Sequence, residues 1–316
     1  MTRLLLIFIF SATILAQDNW TNYNKSNSGL PVNSIHTIAF DSSNTKWIGT
    51  WGGGLVRFDD TSWTVFNTFN SPLPHNDVYS ILVDKDNVIW IGTFGGGLVK
   101  LDGDEWTIFN RTNSGLTDNT IYSMVFDENQ DIYISTWGRA YLKFDRKNSW
   151  ISYNRKGMPF YNKKVPSLLY ERKSKLWIGA VNGLYLFDNG NLINFGGWDH
   201  NFAQSVYSIT RGKDSTLWVG FKTGGIAKYE NDKWSFVDYL DSHLPSNTVY
   251  HLNIDKDNNL WISTFGTGLA KLSGNEWTIY NKSNSPLSDD FVFSTAQDKE
   301  GDIWICTLNK GLFVLR

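Results

Sequence analysis

The sequence predicts an all-β fold, a seven-bladed β-propeller of four-stranded antiparallel blades whose ring is closed by an N-terminal strand completing the last blade. Three observations predict it. The string Trp90-Ile91-Gly92-Thr93-Phe94-Gly95-Gly96-Gly97-Leu98 returns along the chain. Its aromatic position recurs at Trp47, Trp90, Tyr133, Trp177, Trp218, Trp261 and Trp304, at intervals of 43, 43, 44, 41, 43 and 43 residues. Self-similarity at such a period marks a repeat array, and four strands in a repeat of this length match a propeller blade. Each unit reads as four short extended runs, shown best by Val78 to Val83, Val88 to Thr93, Gly97 to Leu101 and Trp106 to Asn110. The ends of the chain supply the third observation. The last repeat stops after its third strand, Gly311 to Arg316, while a surplus fourth strand, Trp20-Thr21-Asn22-Tyr23-Asn24, precedes the first repeat. The two deficits cancel and leave no open edge.

In chain order, residues 1–16 read as a secretory signal peptide and 17–316 as the propeller. Arg3, an apolar run from Leu4 to Phe10 and its interrupted continuation to Leu15 lead to small residues around Ala16. The apolar stretch is too short to serve as a transmembrane helix. Cleavage after Ala16 is expected, with a soluble product in the periplasm or outside the cell. Within a unit, clusters such as Asp84-Lys85-Asp86-Asn87 and Asp102-Gly103-Asp104 supply tight-turn chemistry, so the four runs, A to D, form an antiparallel meander. A strands near Ile35, Val78, Ile121, Val165, Val206, Val249 and Val292 should line the axis, and D strands the rim. The chain holds 15 Trp, 14 Tyr and 20 Phe, enough large flat side chains to fill the wedges between blades. The lone Cys306 is expected to be a small core residue. Glycosylation-type triplets at Asn24, Asn110 and Asn281 occupy equivalent repeat positions and read as structural turns.

The repeating pattern L-P-x-N-x-[VI]-Y-S, then D-x-D-x-x-x-W-I-G-T-x-G-G-G-L, then W-T-x-[FY]-N resembles the two-component regulator propeller repeat, found in periplasmic sensor regions of bacterial hybrid histidine kinases. The resemblance runs from Trp20 to Arg316. Repeats four and five depart most: Ala180-Val181-Asn182-Gly183 is one residue short, and Gly212 replaces the first aspartate. The resemblance implies a sensor role. The kinase, membrane-span and response-regulator segments of those sensors have no counterpart in the sequence, so sensing implies a separate partner.

Net charge is −2, and nothing in the overall balance calls for nucleic acid. The charge is unevenly spread. From Arg139 to Lys175 there are eleven basic residues against Asp145 and Glu171, so that segment carries +9 and the remainder −11. Enzyme motifs are missing. The histidines (His36, His75, His200, His243, His251) show no zinc-site spacing, and there is no G-x-S-x-G, P-loop or dinucleotide fingerprint, so no metal, cofactor or catalytic residue is assigned. Paired carboxylates presented from different blades stay open as a route to polysaccharide cleavage by a hydrolase or lyase.

If A runs down, the B-to-C and D-to-A connections share one face, which carries the longer loops and is the expected binding face. The position four after the B-strand aromatic reads Trp51, Phe94, Trp137, Val181, Lys222, Phe265 and Leu308. The aromatics there either ring the channel mouth for a ligand or pack between blades. Arg139, Arg155, Lys156, Lys163 and Lys164 fall near Trp137 on this face and complete the candidate binding set; the other basic residues of the segment, including Arg146 and Lys173, fall in strands or on the opposite face. Three functions are carried forward: an exported, non-enzymatic sensor of a glycan or small anionic ligand, in particular an acidic saccharide; an interaction platform in an envelope or secretion assembly; and a polysaccharide-acting enzyme. The expected partners are that ligand, an envelope protein or a separate membrane sensor kinase, and the chain is expected to be monomeric.

Overall fold

The structure, a computed structural model, describes residues 19–172, 174–197, 204–237 and 244–316. The expected leader, Lys173, His200 and His243 lie outside the described residues. The chain forms seven four-stranded antiparallel sheets, each built in A-B-C-D order, and every A strand packs against the A strands of the neighbouring blades in a cycle that closes. Blade two shows the unit: Val78–Val83, Ile89–Thr93, Leu98–Asp102 and Glu105–Phe109. Blade seven takes its A, B and C strands from Val292–Gln297, Ile303–Thr307 and Leu312–Leu315 and its D strand from Trp20–Tyr23, with Trp20 opposite Leu315 and Tyr23 opposite Leu312. One turn of 3-10 helix, Phe195–Gly197, follows the D strand of blade four.

Six of the seven B strands are buried along their whole length, and that of blade four from Leu176 onward, because other strands flank both edges and neighbouring blades cover both faces. Each therefore needs one small residue where the next A strand comes close. A Cβ on Gly92 would stand 2.6 Å from Ile121, and one on Gly179 would stand 2.6 Å from Val206. Ser135, Ser263 and Cys306 take the same position in blades three, six and seven, so Cys306 is the small core residue its sequence context suggests. Burial pushes its thiol up to about 12.

The turn between A and B explains the aspartate that precedes each tryptophan. In blade six Asp255 accepts hydrogen bonds from the Asp257 and Asn259 backbone, the Asn259 amide and the Trp261 indole, the last at 2.9 Å. Asp41, Asp84 and Asp298 hold Trp47, Trp90 and Trp304 in the same way, and Glu171 does so for Trp177. Where Gly212 replaces the aspartate, Asp214 accepts from the Thr216 backbone instead. The glycosylation-type triplets are turns: Asn24, Asn110 and Asn281 each accept from the backbone two residues on, and Asn67, which heads no such triplet, does the same.

Candidate functional site: the channel mouth

Six of the seven A strands carry a β-bulge at their second residue. A bulge leaves one residue out of the ladder and re-aims its side chain. The residues concerned are His36, Tyr79, Tyr122, Tyr207, Tyr250 and Phe293, and Pro166 takes the place in blade four. Together with the next residue of each strand, mostly serine, they line an axial cavity of about 280 Å³. Among the described residues no aspartate or glutamate lines it. His36 and His251 are half-buried there, and desolvation pushes both down to about 4, so they are neutral at ordinary pH. Their ring nitrogens are partly engaged, His36 Nδ1 with the Tyr79 carbonyl at 3.1 Å and His251 Nδ1 with the Thr295 backbone N–H at 3.4 Å.

Above the cavity stand four of the candidate residues. Trp51, Phe94, Trp137 and Phe265 are 47%, 37%, 45% and 39% exposed. They stand on the aromatic ring beneath: Trp51 and Phe94 edge-on to Tyr79, Trp137 beside Tyr122, and Phe265 stacked on Tyr250 at 5.1 Å. Phe94 and Trp137 also meet each other edge to face.

Lys164 comes from the long D-to-A connection of blades three and four. That segment is pinned: the Lys163 carbonyl accepts from Ala140 N–H, the Lys164 carbonyl from Val181 N–H, and Phe160 is buried against Tyr141 and Tyr185. The Lys164 ammonium lies 3.8 Å from the centre of the Trp137 ring, 4.1 Å from Tyr122 and 5.7 Å from Tyr207. Burial, and then the like charge of Lys222, lower its pKa to about 8. Among the described residues no carboxylate pairs with it.

A consequence for stability follows from linkage. The unfolded ordinary value is 10.5 and the folded value about 8, so the charged form costs the fold most below pH 8, and the cost disappears as pH rises to 10.5. Lys164→Met, whose thioether suits an aromatic seat, is expected to raise the melting temperature by a few degrees at neutral pH and by nothing near pH 10.5. Calorimetric melts at the two pH values check this, and an equal or lower melting point at neutral pH would contradict it.

Arg139, Arg155, Lys156, Lys163 and Lys222 are exposed. They make no ion pair among the described residues and none is seated on an aromatic ring. Other basic residues of the same charge cluster are neutralised locally: Lys143 by Asp127 and Asp131, Arg146 by Asp84, and Lys175 by Asp188. The structure thus brings Lys164 to Trp137, puts Phe94 beside them, and leaves Trp51 and Phe265 on other parts of the rim. Among the described residues no group of three metal-ligating side chains forms, and no helix is long and apolar enough to cross a membrane.

Residues 72–95, 243–266 and 286–309 match the sequence model of the family described as two component regulator propeller. The chain carries two-component regulator propeller repeats. No curated protein matches it in sequence. Among solved structures, this propeller is similar to the extracellular domain of the putative hybrid two component system BT3049 from B. thetaiotaomicron, with TM-score 0.76 and 21% identity over 90% of this chain and 40% of that one. It is also similar to PorZ, a surface component of the type-IX secretion system of Porphyromonas gingivalis, with TM-score 0.71 and 18% identity over 91% of this chain and 47% of that one. It thus spans under half the length of both. A catalytically inactive virginiamycin B lyase from Staphylococcus aureus, solved with quinupristin, shares the fold over 95% of this chain and 99% of its own at TM-score 0.74 and 14% identity. At these identities the likenesses show the fold alone.

The channel residues His36, Tyr79, Tyr122, Tyr207, Tyr250, His251 and Phe293 did not emerge as candidates from sequence. A signal was present: the aromatic after the first β-branched residue of strand A belongs to the repeat pattern itself. It went unused because an alternating strand gives no reason to aim two successive residues at one lumen.

Proposed function

We propose that the chain is an exported, non-enzymatic propeller that binds or senses an anionic ligand, an acidic saccharide, on the B-to-C and D-to-A face at blades three and four. The observation that carries this reading is the Lys164 ammonium seated on Trp137 with no acidic partner among the described residues. An indole takes the apolar face of a sugar ring, while Arg139, Arg155, Lys156, Lys163 and Lys222 offer partners to carboxylate or sulfate groups. Trp51, Phe94 and Phe265 extend the stacking surface around the mouth. Export is supported by the leader pattern of residues 1–16 and by the likeness to an extracellular sensor domain, and a membrane sensor kinase is the partner through which such a sensor would act.

The test is a glycan array followed by calorimetry at low and high salt, with wild type, Trp137→Ala and Lys163→Glu/Lys164→Glu. Each variant removes a stacking surface or reverses charge-assisted contacts, so affinity for an acidic oligosaccharide is expected to fall about tenfold or more, and wild-type binding to weaken with salt. Chain length of the oligosaccharide should be unchanged after incubation. Equal binding by all three, binding to neutral sugars alone, or cleavage would overturn the proposal. Capture of an envelope protein with no glycan signal would favour the interaction platform.

A further inference from the structure

We infer that the axial channel is itself a site for one oxyanion, a carboxylate or sulfate group, held between Lys164 and the phenols of the channel wall, so that the ligand enters end-on along the propeller axis. The inference rests on the preceding reading for the kind of ligand, but not for the place where it binds.

Its basis is an imbalance of hydrogen-bonding groups. Tyr79, Tyr122, Tyr207 and Tyr250 line the lumen, and among the described residues none of their hydroxyls has a hydrogen-bond partner. Below them Ser80 Oγ is buried without a partner. Lys164 adds a cation at the upper end, and among the described residues no carboxylate lines the cavity. Hydroxyls can donate, an ammonium only donates, and a half-buried set of this kind is best satisfied by a group that only accepts. A cationic guest would meet an ammonium with nothing to offset it. A neutral guest would leave that charge unpaired in a partly dry site. At about 280 Å³ the cavity lies just under the usual range of small-molecule sites, so it admits a single ring or end group and not a chain. The rim of Trp51, Phe94, Trp137 and Phe265 would then flank whatever follows the anion outward.

Proton linkage gives the site a readout that surface attraction lacks. Only the ammonium form of Lys164 is competent, and it is lost as pH rises through about 8. Apparent affinity should therefore fall about tenfold between pH 7 and pH 9, and binding should take up about half a proton at pH 8 and nearly a whole one at pH 9. The other titratable groups facing Lys164 do not change charge in that window. Burial, the largest cause in each case, raises the pKa of Tyr79, Tyr122, Tyr207 and Tyr250, which stay protonated donors, and His36 and His251 are already neutral. Lys222 enters as the like charge that lowers Lys164.

The probes are D-glucuronate, inorganic sulfate and D-glucose, titrated calorimetrically from pH 7 to pH 9 into wild type, Lys164→Gln and Lys164→Arg, with thermal melts to show that the variants fold. Wild type should bind glucuronate and sulfate but not glucose, with the tenfold pH dependence. Lys164→Gln should lose at least tenfold in affinity together with the pH slope, and Lys164→Arg should bind with a flat profile. Should neither variant fold, the Lys164 side-chain resonance of wild type is titrated with and without sulfate. An upward shift of its pKa supports the site, and none overturns it. No binding of glucuronate or sulfate in the millimolar range, or binding that ignores both pH and Lys164→Gln, also overturns it. An acidic oligosaccharide bound equally by wild type and Lys164→Gln but weakened by Lys163→Glu would remove the axial site and leave the face reading intact. Glucuronate binding with the expected slope and no oligosaccharide signal would do the reverse.

Discussion

Deleting residues 19–24 abolishes cooperative folding, the largest effect expected of any change to this chain. Strand Trp20–Tyr23 supplies the outer strand of blade seven, with Asn19 and Arg316 exchanging both backbone hydrogen bonds beyond the ladder. Its side chains join three blades. Trp20 meets Tyr280 of blade six and Phe313 of blade seven edge-on, and Tyr23 meets Phe58 and Trp63 of blade one and lies parallel to Trp304. Without the strand, Leu312–Leu315, buried along its whole length, becomes an open apolar edge, the arrangement that invites chain-to-chain pairing. Trp20→Ala keeps the ladder and loses only part of a half-buried ring, so its cost should stay below the about 3–5 kcal/mol typical of a fully buried aromatic. Denaturant melts and size-exclusion chromatography decide the matter. A deletion variant that melts like the parent as a monomer would show that the ring does not depend on this closure.

Asp255→Ala is expected to cost about 3–4 kcal/mol, because the carboxylate serves several donors and its removal strands the Trp261 indole and the Asn259 amide in a buried turn. The substitution should also reshape the acid limb of stability. Burial pushes the Asp255 carboxyl up, but the bonds from the side chains of Asn259 and Trp261 and from the backbone outweigh it and hold the group below its ordinary value. A carboxylate depressed in the fold contributes stability above its unfolded pKa and loses it as pH falls through the folded one. The parent should therefore lose stability in that acid window more steeply than Asp255→Ala. Thermal melts from neutral pH into that window test both statements, and matching curves for parent and variant would refute them. Gly212 shows how the fold tolerates a missing aspartate: Asp214, two residues on, takes over the Thr216 backbone.

Much of this architecture was legible because its causes are local and repeated. The period, the turn chemistry of Asp84 to Asn87 and the surplus strand at Trp20 each act within a few residues or recur seven times, so errors at single repeats do not matter. The recurring aspartate before the tryptophan was legible as a turn, although not as the acceptor for the indole. The candidate site was half legible. The fourth position after the tryptophan singled out Trp51, Phe94, Trp137 and Phe265, because hairpin geometry carries that spacing to the same face in each blade. The charge run from Arg139 to Lys175 could not be divided by sequence into paired and unpaired members. Arg146 finds its acid in Asp84, which lies 62 positions earlier in the chain, and only the packing of neighbouring blades brings the two together.

Periodicity was enough for the number of blades and their strand order, and the surplus and missing strands at the two ends added the closing strand, since all follow from counting short-range patterns that the backbone must satisfy. The inside of the channel followed from something else. Bulges in six A strands turn Tyr122 and its equivalents out of the ladder toward the axis, and they arise where seven sheets are bent around a common centre. Lys164 reaches Tyr122 and Tyr207 for the same reason, because residues from three blades meet only once the ring has closed and excluded part of their water. Its lowered pKa is a property of that enclosure and of the nearby Lys222, and no local pattern in the chain encodes it.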